Sequence, residues 1–509
     1  MNSLGFVNFR KFEEFFPLEL GDINILVGEN NSGKSTFTKA ALLLATFLDV
    51  RNGGLFDKLD TTTISTKDFS FSDDRYKHIY IDSFYQALYS SCQEGMIAFT
   101  ADIDDKYNVA IWLGIPSAFL EFVKEHHQEF EVESRDLDYE TIMNCYYPKI
   151  REMYPDVYKE ELSRNSVCVF RVEILDRSNG IIFNLDNEHL TVSLTVNDDS
   201  GKKHTYSYSF SEIEGKGDNY QIENLLSSFN SAVNGTGKVL GSDFGSNDDL
   251  NFFKEHSTPE VAKESYAGLI QVLQDVRFEY IYAHSVHQRP YYLYDTSVNN
   301  DYVDQTISKF YEIQMSRVSE VKDSSREFVK RWMNEFGIGE DFEINEQSCS
   351  DTAKKKLGVK LISDGMAQDL SSKGIGAIQL FTLLLRIASL IGDGAKHKTV
   401  IIEEPEQNLH PALQSRLTDL FLDVTKNYGC QLIVETHSEY LVRRSQLLVS
   451  DLKSENPFNV YYFPSDGMPY SMRYNEYGMF EGRQFGSGFF DEASNMHLQL
   501  LRKKISLIK

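Results

Sequence analysis

Basic side chains are in short supply in this chain. Its 51 Lys and Arg stand against 76 Asp and Glu, a formal net charge of −25. Such a charge repels nucleic acid on average, although a local basic groove is compatible with any average. The compact basic clusters, Lys354-Lys355-Lys356 and Arg443-Arg444, read as solvated surface, so nucleic-acid binding stays possible but unsupported by charge. Cysteine is sparse too: Cys92, Cys145, Cys168, Cys349 and Cys430 lie far apart, with no CxxC pair. That spacing suits a reducing compartment and argues against a disulfide framework or a zinc site. Long apolar runs are also missing. A membrane helix needs about 20 apolar residues. The longest candidate, Phe381 to Ile391, is interrupted by Arg386 and reads as a buried helix. The start carries acidic Glu13 and Glu14 and no signal-peptide pattern, so a cytoplasmic protein with no membrane partner is expected.

What is present is globular composition, 41% apolar and 25% charged. A chain of 509 residues exceeds one ordinary core, so two or three subdomains are expected. Leu4 to Phe9 alternates and meets Lys11-Phe12, which reads as an edge strand. Ile23 to Val27 is a short apolar run ending at Gly28, a buried strand, and Ser35 to Leu48 has helical spacing. Two alternating runs between Met96 and Trp112 read as a hairpin, and Ser117 to Leu162 as a helical insertion. Four alternating segments between Val167 and Ser211 suggest an antiparallel sheet with one wet face. Glu214 to Pro259, rich in Gly, Ser, Asn and Asp, reads as a flexible loop with one short helix. Arg277 to Ala283 reads as a strand and Tyr302 to Phe336 as largely helical. From Leu357 onward strands and helices alternate.

The strongest signal is Gly28-Glu29-Asn30-Asn31-Ser32-Gly33-Lys34-Ser35, which satisfies GxxxxGK[ST] between a strand and a helix. Glycines let the backbone wrap a phosphate chain so that N–H groups and a helix N-terminus face negative charge. Lys34 would reach the β- and γ-phosphates, and Ser35 would give a hydroxyl to Mg²⁺. The bland alternative is a glycine turn before a helix. Such a loop needs an acidic partner on another strand, and Thr399 to Ile402 followed by Glu403-Glu404-Pro405 supplies one. Adjacent strand residues point to opposite sides. Glu403 can therefore hold the metal shell, reaching it through water, while Glu404 orients or deprotonates the attacking water. Pro411 follows Asn408-Leu409-His410 and suits the first position of a helix running to Lys426. Gln431 to Val434 reads as a buried strand leading into Glu435-Thr436-His437-Ser438. His437 so placed can approach a γ-phosphate, or else serve as a structural cap. Ser371-Ser372-Lys373-Gly374 precedes an apolar helix, a second anion-binding helix N-terminus. One nucleotide cannot use two distant helix N-termini of one lobe, so this one would serve a nucleotide held by another protomer. Its plainer reading is an N-capping serine.

Together these pieces resemble the ABC-type ATPase head shared by SMC proteins and the ATPases of double-strand-break repair. More closely, EEPEQNLHPALQSRLTDLF and VETHSEYLVRRSQLLV resemble the OLD-like bacterial ATPases, including those of anti-phage systems such as Septu and PARIS. YIYAHSVHQRPYY and FGSGFFDEA resemble segments of the same group. The resemblance covers roughly the first 50 and last 230 residues. It implies an α/β fold, an ABC-type P-loop ATPase head of mixed and antiparallel sheets flanked by helices, with a helical and β insertion. The expected division is an N-terminal lobe at 1–115, an insertion at 116–270 and a C-terminal lobe at 271–509.

By the same resemblance ATP and Mg²⁺ are the cofactors. Gly28, Asn30, Asn31, Gly33, Lys34, Ser35 and Thr36 are the candidates for nucleotide and magnesium, with Glu403 on the metal, Glu404 on water and His437 on the γ-phosphate. Ser371, Ser372 and Gly374 match the signature, from which Lys373 departs. No Q-loop glutamine can be placed. The coiled coil of SMC relatives and the Toprim nuclease of full-length OLD enzymes are expected to be absent. The implied function is an ATP-hydrolysing regulatory subunit of an anti-phage complex. It would act as a homodimer or higher homo-oligomer joined through its ATP sites, and would control a separate nuclease effector within a retron or a Septu- or PARIS-like system. The alternative is an SMC-like repair ATPase that clamps DNA. A transporter subunit fits the large inserted middle poorly, and Glu404 disfavours ATP as a purely structural ligand.

Overall fold

The computed structural model describes residues 1–49, 79, 81, 84–90, 95–114, 123, 126–130, 145–154, 168–186, 191–197, 203–209, 260–282, 291–294, 302–316, 319–347, 356–391, 397–452, 456–486 and 490–508. In chain order it begins β1 (Ser3–Phe9), β2 (Phe12–Glu19), β3 (Ile23–Gly28), α1 (Lys34–Leu48), α2 (Phe84–Ala87), β4 (Met96–Ile103), β5 (Tyr107–Gly114) and α3 (Tyr147–Met153). Strands β6 (Cys168–Asp176), β7 (Ile181–Asp186), β8 (Thr191–Asn197) and β9 (Lys203–Ser209) follow, then α4 (Glu260–Asp275), β10 (Val276–Tyr282) and β11 (Tyr292–Leu293). Next come α5 (Tyr302–Met315), α6 (Ser319–Glu335), β12 (Asp341–Gln347), β13 (Lys356–Ser363), β14 (Met366–Asp369) and α7 (Ile375–Ile391). The chain continues through β15 (His397–Glu403), α8 (Pro411–Tyr428), β16 (Cys430–Glu435), α9 (Glu439–Leu452), β17 (Phe458–Phe463), β18 (Tyr470–Tyr474), β19 (Phe480–Glu481) and α10 (Glu492–Ile508).

Two compact units result. Met1–Glu19 with Lys39–Asp275 form the first, and Leu20–Thr38 with Val276–Lys509 the second. The first is built on an eight-stranded antiparallel sheet in the order β2-β1-β4-β5-β6-β7-β8-β9. The hairpin read between Met96 and Trp112 is β4–β5, and the four alternating segments are β6 to β9, which extend that same sheet. The edge strand differs from expectation. β1 lies between β2 and β4, and β2 takes the edge with Glu13, Glu14 and Phe16 exposed along it. β2 is exposed at most of its positions, as an edge strand with charged residues is, whereas the first four residues of β1 are all buried between its two neighbours. Aromatic packing closes the inner face: Phe6 stacks on Phe15 at 4.4 Å between ring centroids, and Phe9 meets Phe99 edge-on at 5.2 Å. Most of the helical reading at Ser117 to Leu162, and all of the loop at Glu214 to Pro259, lie outside the described residues.

The second unit has a seven-stranded sheet in the order β10-β15-β16-β3-β17-β18-β19. The five strands from β10 to β17 run parallel, while β18 and β19 turn antiparallel at one edge. Parallel strands covered on both faces read as continuous apolar runs, and β3, INILVG, is buried at every position. A smaller sheet joins β11, β12 and β14 to β13. Together these sheets and their flanking helices make a mixed α/β fold. Helix α7 packs on α5, α6 and β10. Its expected break, Arg386, is buried with its Nε 2.6 Å from Glu279 Oε1 and its guanidinium 4.5 Å from the Tyr302 ring centroid. A cation can sit in that helix because it is paired there. No helix among the described residues is long and apolar enough to cross a membrane.

Candidate functional site

Ligands of open α/β sheets bind outside the carboxyl ends of parallel strands. At that edge three neighbours, β15, β16 and β3, end in Glu403, Glu435 and Gly28. Register places Glu403 opposite Glu435, and Glu435 opposite Leu26.

Gly28 has φ 151°, and a Cβ there would stand 2.1 Å from the Phe463 carbonyl oxygen, so no other residue fits. Asn31 (φ 58°) and Gly33 (φ 106°) complete the curl before α1 begins at Lys34. Asn30 and Asn31 are exposed on the loop, and Thr36 is buried beneath it. Lys34 is 4% exposed and donates from Nζ to the carbonyls of Gly28 (3.0 Å) and Glu29 (2.8 Å). The Ser32 hydroxyl is buried and has no hydrogen-bond partner among the described residues.

Glu403 ends β15, but strand alternation is not what turns Glu404 away from it. Glu404 is left-handed (φ 45°), its N–H donating to the Glu435 carbonyl at 2.8 Å. One Glu404 oxygen lies 3.7 Å from His437 Nε2, and Gln407 donates to the other. Burial, and then the positive charge of Lys34, lower the His437 pKa, so the ring is neutral at pH 7 despite Glu404. The His437 N–H donates to Glu406 Oε1 at 2.7 Å, which fixes the backbone behind the ring. Burial raises the Glu406 carboxyl's pKa.

The signature residues form a separate group. Leu370–Ser372 make one tight turn, the Ser372 hydroxyl donates to the Asp369 carbonyl at 2.6 Å, and α7 starts after Gly374. Ser372 and Gly374 are exposed, Ser371 is half-buried, and a Cβ on Gly374 would meet nothing within 4 Å. None of the three donates to the cluster around Lys34. Helix α7 does reach the turn after the carboxylates, where Gln379 Nε2 donates to the Pro405 carbonyl (3.1 Å) and Asn408 Nδ2 to Gln379 Oε1 (3.3 Å). Pro411 opens α8 as expected, with the His410 ring accepting from the Ala412 N–H at 3.4 Å.

A family model described as an AAA ATPase domain matches residues 1–442. The chain belongs to the AAA ATPase domain family. No curated protein matches it. Among solved structures, this AAA ATPase domain chain is 10% identical to the SmcHead bound to the C-winged helix domain of ScpA, covering 92% of this chain and 96% of that one at a TM-score of 0.37. It is 11% identical to the SMC head domain from Thermotoga maritima, covering 93% and 98% at a TM-score of 0.33. At these scores the likeness is too distant to argue from.

Glu435 is part of the cluster around Lys34 and was given no role by the sequence reading. Glu435, 4% exposed, accepts from Ser35 Oγ at 2.7 Å on one oxygen and from Thr38 Oγ1 at 3.0 Å on the other. Burial, and then the Glu403 carboxylate, push its pKa up to about 7, against the pull of Ser35, Lys34 and Thr38. The one sequence signal was its place at the end of a buried apolar strand, two residues before His437.

Proposed function

We propose that the chain binds ATP with magnesium and hydrolyses it to ADP and phosphate. It does so as the nucleotide-gated regulatory subunit of a bacterial anti-phage complex whose toxic output belongs to a separate nuclease. The observation that carries the ATP reading is the meeting of a left-handed glycine loop, two successive glutamates and a neutral histidine at the ends of three adjacent parallel strands. The loop suits a phosphate chain. Its buried Ser32 hydroxyl has no partner among the described residues, and its Lys34 ammonium rests on two carbonyls, weaker acceptors than a phosphate oxygen. Ser35 and Glu403 supply the hard oxygen donors that magnesium takes. When bound, that ion neutralises charge on the phosphate oxygens.

The chain's own residues then divide the work. Lys34 holds phosphate oxygens, and Glu404, set apart by its left-handed backbone and steadied by Gln407, takes a proton from the attacking water. His437, neutral, offers a ring N–H to the γ-phosphate. Exposed Ser372 and Gly374, with Ser371, face a nucleotide held by a second copy, which makes the working form a dimer. The defence role rests on the likeness of EEPEQNLHPALQSRLTDLF and VETHSEYLVRRSQLLV to OLD-like ATPases.

Two variants test the chemistry. Lys34→Ala should lose nucleotide binding. Glu404→Gln should keep it and slow turnover by about 10²- to 10⁴-fold, the usual worth of a general base. Fluorescent-nucleotide titration and phosphate release measure both. Normal turnover by Glu404→Gln would remove the base assignment.

A further inference from the structure

A nearly buried carboxylate under a phosphate-binding loop is an electrostatic liability. Glu435 lies in register beside Glu403 on the neighbouring strand, and its two oxygens are taken by hydroxyls of α1. A polyanion brought to the loop is repelled by both carboxylates unless a cation comes with it. The hydrogen bond from Ser35 also has a direction. Ser35 Oγ spends its one proton on Glu435 Oε1 at 2.7 Å, so its lone pairs point elsewhere. Thr38, one helical turn along α1 from Lys34, holds the second oxygen and keeps the carboxylate from rotating away.

We infer that Glu435 is a positioning residue for the divalent cation that accompanies the nucleotide. It turns the Ser35 hydroxyl proton inward so that the oxygen's lone pairs face the ion, and it adds the negative charge that makes the loop prefer metal-bound over metal-free nucleotide. The inference rests on the ATP reading above and assigns Glu435 a part in it. Outer partners that orient a metal ligand are commonly worth about 10- to 100-fold in metal affinity.

The test is binding of a fluorescent ATP analogue by the full chain, with Mg²⁺ titrated from EDTA upward, and Mn²⁺ binding in the presence of ADP followed by electron paramagnetic resonance. In Glu435→Gln the Mg²⁺ concentration for half-maximal nucleotide binding should rise by about tenfold or more. The preference of the wild type for metal-bound nucleotide should shrink with it. Thr38→Val, which removes only the second anchor, should give a smaller shift in the same direction, and it decides the matter should Glu435→Gln fail to fold. A wild type that binds no nucleotide at any Mg²⁺ level overturns the ATP reading and this inference with it. A wild type that binds normally, beside variants with unchanged metal requirement, overturns the inference alone.

Discussion

Arg386 offers the sharpest quantitative test of how the second unit is held together. Its guanidinium lies in the middle of apolar α7, 2.6 Å from Glu279 of β10 and over the ring of Tyr302, with both charged side chains about nine-tenths buried. Arg386→Met removes the cation and leaves Glu279 to Lys309, which is 3.7 Å from the other oxygen and itself 47% exposed. Stranding one buried charge in this way costs about 3–5 kcal/mol, whereas replacing both partners by apolar groups of similar volume is often neutral or stabilising. Arg386→Met should therefore lower stability by about 3 kcal/mol or more, and Glu279→Leu by a similar amount. Arg386→Met with Glu279→Leu should return to within about 1 kcal/mol of the wild type, a non-additivity that contact across a shared pair requires. Urea titration followed by circular dichroism gives the four stabilities. A loss below about 1 kcal/mol for Arg386→Met, or full additivity in the double variant, refutes the reasoning, because the pair would then be too well solvated to count as buried.

Three further outcomes are expected. Lys34→Ala and Ser372→Arg should each abolish ATPase alone, yet their mixture should recover part of it, since a heterodimer gathers both lesions in one site; background activity in verified heterodimers removes the trans role of Ser372. Homogeneous protein should leave plasmid and RNA intact in Mg²⁺ and Mn²⁺, and cleavage that is lost only through a mutation outside the ATP site would make the chain its own effector. Glu435 predicts a pH effect on the nucleotide-free protein. Its folded pKa, about 7, exceeds the ordinary 4.5, so the folded state binds the proton more tightly and this site's contribution to stability falls as pH rises from about 4.5 to 7. With Lys34, Glu403, Ser35 and Thr38 facing it, Glu435→Gln should melt a few degrees higher than wild type at pH 8 and close to it at pH 5; thermal melts with no such divergence refute the shift.

Much of this was legible because parallel-sheet chemistry leaves local marks. Ile23–Gly28, the Glu403-Glu404 pair and His437 each sit at a strand end that short apolar runs announce. The glycine loop was legible for a stronger reason, since Gly28 can be nothing else against Phe463. Strand order was harder. Nothing in Leu4–Phe9 tells that β4 arrives from about a hundred residues away to make β1 internal, because pairing across long separations leaves no periodic trace in either strand. Glu435 was missed for a related reason. A glutamate at the end of a strand reads as solvated until the neighbouring strand and α1 are known to close over it. The turn of Glu404 out of its strand had no sequence mark at all, being a backbone choice at one residue.

That choice shapes what selection or engineering can do at the position. Among the described residues, most non-glycine residues with positive φ are Asn or Asp, whose short side chains tolerate the conformation, but Glu404 at φ 45° is not of that kind. Holding a longer residue there costs on the order of 1 kcal/mol, so a stability screen that ignores ATP should enrich Glu404→Gly. A screen for turnover should reject that change, and a β-branched replacement should fail both. The proposed base thus occupies a site where folding and chemistry ask for different amino acids, and the glutamate that stands there records which demand prevailed.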